Sequence, residues 1–431
     1  MKVKTRVMSY EKVIELPSEP YRRPKRPNIF FRTLLKLVGL PDLWATCFRL
    51  ERVGMKRLGK KEPCLILMNH SSFIDLEIAT SAFYPRPLNI VATRDAFIGK
   101  RWLMRQLGCI PTAKFVYDVG LVKDIFHAVR KNKTSVLLFP EAGYSLDGTA
   151  TVLPDNFGVF LKKLDVPVVM LRTYGAFARD PLYNNLQRRR TRVSAKMEYL
   201  FSPEELQARS AEELLATVKE RFTFDSFRWQ AENGVRITES FRADMLHRVL
   251  YRCPHCDAEG KMEGKGITLQ CHACGEAYVL AESGKLKRIG GGGAFEYVSD
   301  WFAWQREKVG EALLSGTYSE SVSVKIAMQV DTKALYFVGD GTLAHTPDGF
   351  RLSGCDGKLD YTQHSGHMYS VNVDYNFYEI GDMVSFGTTK TLYYCFPKDP
   401  AFPVAKLRLA TEEMFRQMHG NTQKNPNQKE K

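Results

Sequence analysis

Across 431 residues the chain has no uncharged apolar run near the roughly 18 residues that a membrane-spanning helix needs. Its first residues also lack the apolar core and small-residue cleavage site of a signal peptide. These two absences predict a cytoplasmic protein that could meet a membrane only peripherally, on its inner face. There is no Gly-x-Ser-x-Gly elbow, so no serine is placed as a covalent nucleophile. The run Gly290 to Gly293 is followed by neither Lys-Ser nor Lys-Thr, which makes it a flexible joint rather than a phosphate loop. Acidic residues are scarce at one end. Residues 1 to 60 hold 5 Asp and Glu against 15 Lys and Arg, so 10 of the 14 net positive charges sit there.

What is present is ordinary folded chain, 44% hydrophobic and 26% charged, long enough for two or three cores. The basic first segment suits anionic lipid, nucleic acid or an acidic carrier protein. Within it, Ile29 to Val38 is an apolar helical stretch with interspersed cations, followed by Pro41 and Trp44. Such a helix fits a membrane interface; it fits equally a helix packed on its own domain.

Nine cysteines inside a cell are not read as disulfides. Four of them form two Cys-x-x-Cys knuckles, Cys253 with Cys256 and Cys271 with Cys274, separated by 14 residues. Two such pairs can aim four thiolates at one tetrahedral centre, the pattern of a zinc ribbon. Four thiolates close the coordination shell, so the expected Zn2+ is structural.

Residues from about 60 to 200 alternate short apolar strands (Cys64 to Met68, Leu88 to Ala92, Ser135 to Phe139, Val166 to Leu171) with helix-like segments. That alternation predicts an α/β domain with a largely parallel, mixed sheet flanked by helices. Residues 203 to 250 are expected to be helical, with starts at Ser202 and Ser210. Tyr297 to Leu314 reads as a linker helix. From 318 the period becomes two, as in Val322, Val324, Ile326, Met328, Val330 and again in Tyr369 to Phe377. This predicts a mainly antiparallel β domain that ends in a helix, Val404 to Met418, possible for a pleckstrin-homology-like fold or another small barrel. The expected organisation is therefore 1–60 basic amphipathic membrane-contacting segment, 61–250 α/β domain, 251–290 zinc ribbon, 291–317 linker helix, 318–418 β domain, and 419–431 polar tail.

His70 comes directly after the strand ending at Met68 and Asn69, where ligands collect in open α/β sheets. Ser71 or Ser72 can cap the next helix, with Phe73 and Ile74 on its buried side and Asp75 in its first turn. A carboxylate there can hold one imidazole nitrogen as a donor and leave the other as a base. A core histidine beside a helix-start acid fits the same residues. A second strand end supplies Phe139-Pro140-Glu141-Ala142-Gly143-Tyr144-Ser145, with Glu141 at the same sheet edge.

Here the chain resembles the glycerophospholipid acyltransferases, the 1-acylglycerol-3-phosphate acyltransferase family. Its first block, Asn-His-x4-Asp, matches Asn69, His70 and Asp75. Its third, Phe-Pro-Glu-Gly-Thr-Arg-Ser, matches Phe139, Pro140, Glu141 and Ser145. Gly108 to Lys114 is similar to the second block, and Val166-Pro167-Val168-Val169 to the fourth. The resemblance spans about residues 30 to 210 and implies acyl transfer from acyl-CoA or acyl-carrier protein to a lysophospholipid, with 1-acylglycerol 3-phosphate the acceptor it favours. It implies His70 as base, Asp75 as its partner, and Glu141 as the residue that orients the acceptor or the loop around it. The family's third-block arginine, expected on the acceptor phosphate, falls on Tyr144, and its Gly and Thr on Ala142 and Gly143. Lys114, Arg94 or Arg172 are then the cations left for that task, with Gly143 and Tyr144 lining the site. A lipid or acyl-carrier sensor on a degenerate version of the fold is the alternative, and a zinc-ribbon nucleic-acid binder a weaker one. No nucleic acid is expected, because no interleaved aromatic-basic motif accompanies the ribbon.

Overall fold

The computed structural model describes residues 2–17 and 19–424, so residues 425–431 of the expected polar tail lie outside the described residues. A seven-stranded sheet is laid down in the order Arg49–Val53, Ser194–Phe201, Val168–Tyr174, Leu65–Met68, Ser135–Leu138, Leu88–Thr93, Cys109–Thr112. Every neighbouring pair is parallel except Val168–Tyr174 with Ser194–Phe201, which makes the sheet mixed, as the sequence predicts. Leu65 to Met68 sits at its centre with all four side chains fully buried. Each such side chain contributes about 1.5–3 kcal/mol over an exposed one, which is why a four-residue apolar run fixes the middle of a sheet. One face is covered by the helices Ile29–Ala45 and Ile74–Phe83, the other by Val119–Arg130, Phe157–Leu164 and Ala211–Phe222. Gly158 is needed there: a Cβ would stand 1.9 Å from the carbonyl oxygen of Ala211.

Both predicted helix starts carry capping boxes, Ser202 with Glu205 and Ser210 with Glu213. Helix ends sooner than expected. After Ser226–Glu232 the chain becomes irregular, apart from one short turn at Leu246–Arg248. Residues 237 to 247 instead spend their backbone groups on the next unit: Ile237 N–H donates to Glu282 O, Ala243 to Gly266 and Met245 to Gly264. This unit is an antiparallel sheet of Met262–Lys265, Thr268–Cys271, Ala277–Leu280 and Leu286–Arg288. The helix after it, Val298–Leu314, is more than a linker, since Trp301 is fully buried and its indole N–H donates to the Arg252 carbonyl.

The C-terminal sheet pairs its strands antiparallel in the order Leu359–His364, Gly349–Gly354, Leu335–Thr346, Glu320–Gln329, Leu392–Pro397, Gly381–Gly387, Asn372–Phe377. Helix Val404–Lys424 comes last, so residues 419–424 extend the helix and are not tail. Tyr369, expected in a strand, precedes Asn372–Phe377.

The N-terminal segment divides. Thr5–Val7 adds a parallel strand to Leu335–Phe337 of the C-terminal sheet, and Val13 is fully buried in that region's core. Arg49–Val53 belongs to the mixed sheet. The expected apolar helix forms as Ile29–Ala45. It packs Gly39 and Leu43 inward and leaves Ile29, Phe30, Leu34, Leu37, Val38 and Trp44 exposed. Among the described residues no helix is long and apolar enough to cross a membrane.

Candidate active site

The parallel register sets the geometry. Leu67 pairs with Leu138, so three residues further along each strand His70 and Glu141 emerge level with one another. The His70 backbone N–H donates to Glu141 Oε2 at 3.1 Å, and Ser145 N–H donates to the His70 carbonyl at 3.0 Å. On the other side Met68 pairs with Leu171, which brings Asn69 to Thr173: Thr173 N–H donates to Asn69 Oδ1 at 2.8 Å. The loop bearing His70 is thus tied to both neighbouring strands.

Asp75 is completely buried and faces back along the chain. Its Oδ2 accepts from Ser71 N–H at 2.7 Å and Ser72 N–H at 2.9 Å, and lies 3.2 Å from His70 Nδ1. Its Oδ1 accepts from the Thr173 hydroxyl at 3.3 Å. Held by Asp75, Nδ1 is the protonated nitrogen and Nε2 is left as the free base. Burial lowers the His70 pKa, Asp75 opposes that shift, and the nearby charge of Lys114 reinforces it. Burial thereby favours the neutral imidazole, the form that can act as a base.

The imidazole lies between two rings. Phe139 stacks on it at 4.1 Å between centroids and Tyr144 at 4.0 Å. Tyr144 in turn meets the edge of Phe73 at 6.1 Å. Phe73, expected on the buried side of its helix, is 53% exposed, because the helix begins one residue later and Ser72 turns inward to donate to Asp180.

Glu141 is a clamp. Only 2% exposed, it accepts from His70 on one oxygen and from Thr151 N–H at 2.8 Å on the other. Burial raises its pKa to about 7 in spite of those bonds. Of the two roles expected for it, the geometry fits the loop and not direct contact with an acceptor. Gly143 is buried beneath the ring of Phe115, which a Cβ would approach to 3.7 Å. Ala142 has φ 55°, the left-handed region that glycine enters without strain.

The expected cations part company. Lys114 is half-buried, and its charge acts on both His70 and Asp374, a carboxylate of the C-terminal strand Asn372–Phe377. Arg94 donates to the Thr389 carbonyl of the C-terminal sheet and so serves the contact between units. Arg172 lines a small surface hollow with Lys196, Glu198 and Arg221. A cation that touches the third-block turn is one that sequence reasoning missed. Arg408, from the last helix, places Nη1 3.4 Å from the Tyr144 carbonyl oxygen.

The cysteines Cys253, Cys256, Cys271 and Cys274 converge, with all four sulfurs within 4.8 Å of one another. Cys253 to Cys274 and Cys256 to Cys271 are each 3.7 Å apart. A tetrahedron with Zn–S bonds of about 2.3 Å has edges of about 3.8 Å, so the donor set fits Zn2+.

Residues 49–172 match the family model described as Acyltransferase. Among solved structures this chain is similar to the crystal structure of the 1-acyl-sn-glycerophosphate (LPA) acyltransferase PlsC from Thermotoga maritima. The two are 19% identical over 44% of this chain and 78% of that one, with a TM-score of 0.35.

Proposed function

We propose that the chain moves a fatty acyl group from a thioester, acyl-CoA or acyl-carrier protein, to the hydroxyl of a lysophospholipid. The acceptor the family resemblance favours is 1-acylglycerol 3-phosphate, which would give phosphatidate. The observation that carries this reading is the His70–Asp75 pair, held level with Glu141 at the carboxyl ends of two parallel strands. His70 Nε2 takes the proton of the acceptor hydroxyl as its oxygen attacks the thioester carbonyl. The tetrahedral intermediate then collapses, the C–S bond breaks, and the thiolate leaves with the proton from the imidazolium. Asp75 fixes the tautomer and stabilises the imidazolium.

Two features support work at a membrane surface. The apolar face of Ile29–Ala45 is exposed, and Trp102, 67% exposed, extends it by an edge-on contact with Phe31. Exposed aromatic and aliphatic groups beside a basic segment suit an anionic inner leaflet. The ribbon cysteines would hold Zn2+ in a closed thiolate site that braces the fold. The C-terminal unit, seven antiparallel strands and a terminal helix, is consistent with a pleckstrin-homology-like fold.

A catalytically silent sensor is the second reading, and the Tyr144 ring over His70 is what favours it. Turnover separates the two. Free thiol is to be measured with acyl-CoA and acyl-carrier protein against a panel of lysolipids. Release that depends on the acceptor supports the enzyme, whereas tight lipid binding with no release leaves only the sensor.

A further inference from the structure

Between the loop just beyond the third-block turn and the two long C-terminal helices lies a cleft of about 250 Å³. Its walls include Thr149 and Thr151 on one side and Arg306, Arg408, Glu412 and Arg416 on the other. Sites that take drug-sized ligands run to roughly 300–1,000 Å³, so this one suits a small polar headgroup and not an acyl chain.

Arg408 is the unusual wall. It is 3% exposed, and its Nε donates to Glu412 Oε1 at 3.0 Å. Phe115 lies against the guanidinium at 5.4 Å from the ring centroid. Nη1 makes only the long contact to the Tyr144 carbonyl, and Nη2 is buried with no hydrogen-bond partner. A buried donor left unmade is costly, and more so on a charged group. The carboxylates of the cleft are already engaged. Glu412 is shared with Arg306 and with the Ser370 hydroxyl, and Asp147 with Thr149. Glu413 beside the cleft pairs with Arg306 and Arg416, so three guanidiniums meet three carboxylates, and the unpartnered Nη2 of Arg408 is what remains unmatched.

We propose that Arg408 Nη2 binds a phosphate oxygen of a substrate, so that the C-terminal helix supplies the anion contact that Tyr144 leaves out of the acyltransferase domain. A guanidinium fork pinned at Nε and left without a partner at the buried Nη2 has the donor geometry that suits phosphate. The phosphate itself could belong to the acceptor's monoester or to the pantetheine arm of the donor. Only that choice of source rests on the acyl-transfer reading.

The probe is inorganic phosphate, added to the full chain and compared with chloride at equal ionic strength. Phosphate should raise the Tm of the native protein and do so several-fold less in Arg408→Gln. Arg408→Lys guards against a trivial folding defect. It should show a native circular dichroism spectrum and keep part of the phosphate response, because a point charge replaces the fork. Kinetics then assign the source. A rise of about tenfold or more in KM for the phosphorylated acceptor, with the thioester KM unchanged, places the acceptor phosphate at Arg408. The reverse pattern places the pantetheine phosphate there. No stabilisation of the native protein by phosphate, or equal stabilisation of the native protein and Arg408→Gln, overturns the proposal. If phosphate binds through Arg408 while no acceptor ever releases thiol, the arginine site stands and the acyl-transfer reading falls.

Discussion

The corner around His70 and the cleft around Arg408 adjoin the same third-block turn and differ in how complete they are. At His70 the protein has met its own needs. Asp75 receives two backbone N–H groups, a hydroxyl and the imidazole, and Glu141 receives two backbone N–H groups. At Arg408 a buried guanidinium keeps one nitrogen without a partner. With the roles proposed for them, the contrast separates two tasks. A group that moves a proton must be aimed before substrate arrives. A group that binds an ion keeps its capacity in hand.

The largest expected effect breaks the first side of that contrast. His70→Ala should lower thiol release by at least about 10²–10⁴-fold with the fold intact, since the group removed is the general base. Near-native turnover in that variant would falsify the mechanism. Asp75→Asn should cost somewhat less than His70→Ala, since an amide can still bond to the ring but favours the wrong tautomer. It should also lower Tm, because the amide cannot accept from Ser71, Ser72 and Thr173 as a carboxylate does.

The second side can be loosened from beneath. Cys253→Ser should release one zinc per chain, seen by metal analysis, and open the ribbon to proteolysis between about 250 and 290. A native protein without zinc ends that expectation.

Smallest is the dependence on pH. Burial lifts Glu141 to about 7 and Asp374 to about 6, both above the ordinary carboxylate range. For carboxyls raised on folding, the stabilisation is complete below the unfolded value of about 4 and is lost as pH rises through the folded values. Urea unfolding should therefore show stability declining by up to a few kcal/mol between about pH 4 and pH 7 from these groups, with a shallower decline in Glu141→Gln. The acid limb of kcat/KM should lie below pH 6.5, because burial depresses His70. A limb well above that value would mean that His70 is not the titrating base.

Much of the first side was legible in the sequence because its signals are local. Leu65 to Met68 and Ser135 to Leu138 are uninterrupted apolar runs, and the residues just beyond each run land at one sheet edge. The capping boxes and the cysteine knuckles are likewise patterns of neighbours. The second side was not legible, since Arg408 meets Tyr144 across 264 residues and on a helix looks like any solvated charge. Its one local trace is the pairing with Glu412 four residues on, inside a stretch otherwise buried. Residues 233 to 250 misled for a related reason: their backbone partners are strands of the ribbon beyond them, so no periodicity of their own could announce them.

The strand Thr5–Val7, seated parallel on Leu335–Phe337, has a consequence for how the chain comes into being. During synthesis at about 5–20 residues per second, its partner emerges on the order of half a minute or so after it. Through that interval the α/β domain, whose sheet is complete in sequence by residue 201, can fold while Thr5–Val7 waits unpaired and the apolar face of Ile29–Ala45 is already exposed. Contacts between such distant segments form late and slowly. The N-terminal strand thus stays unpaired until the C-terminal sheet is made, and Arg408 reaches the third-block turn last of all.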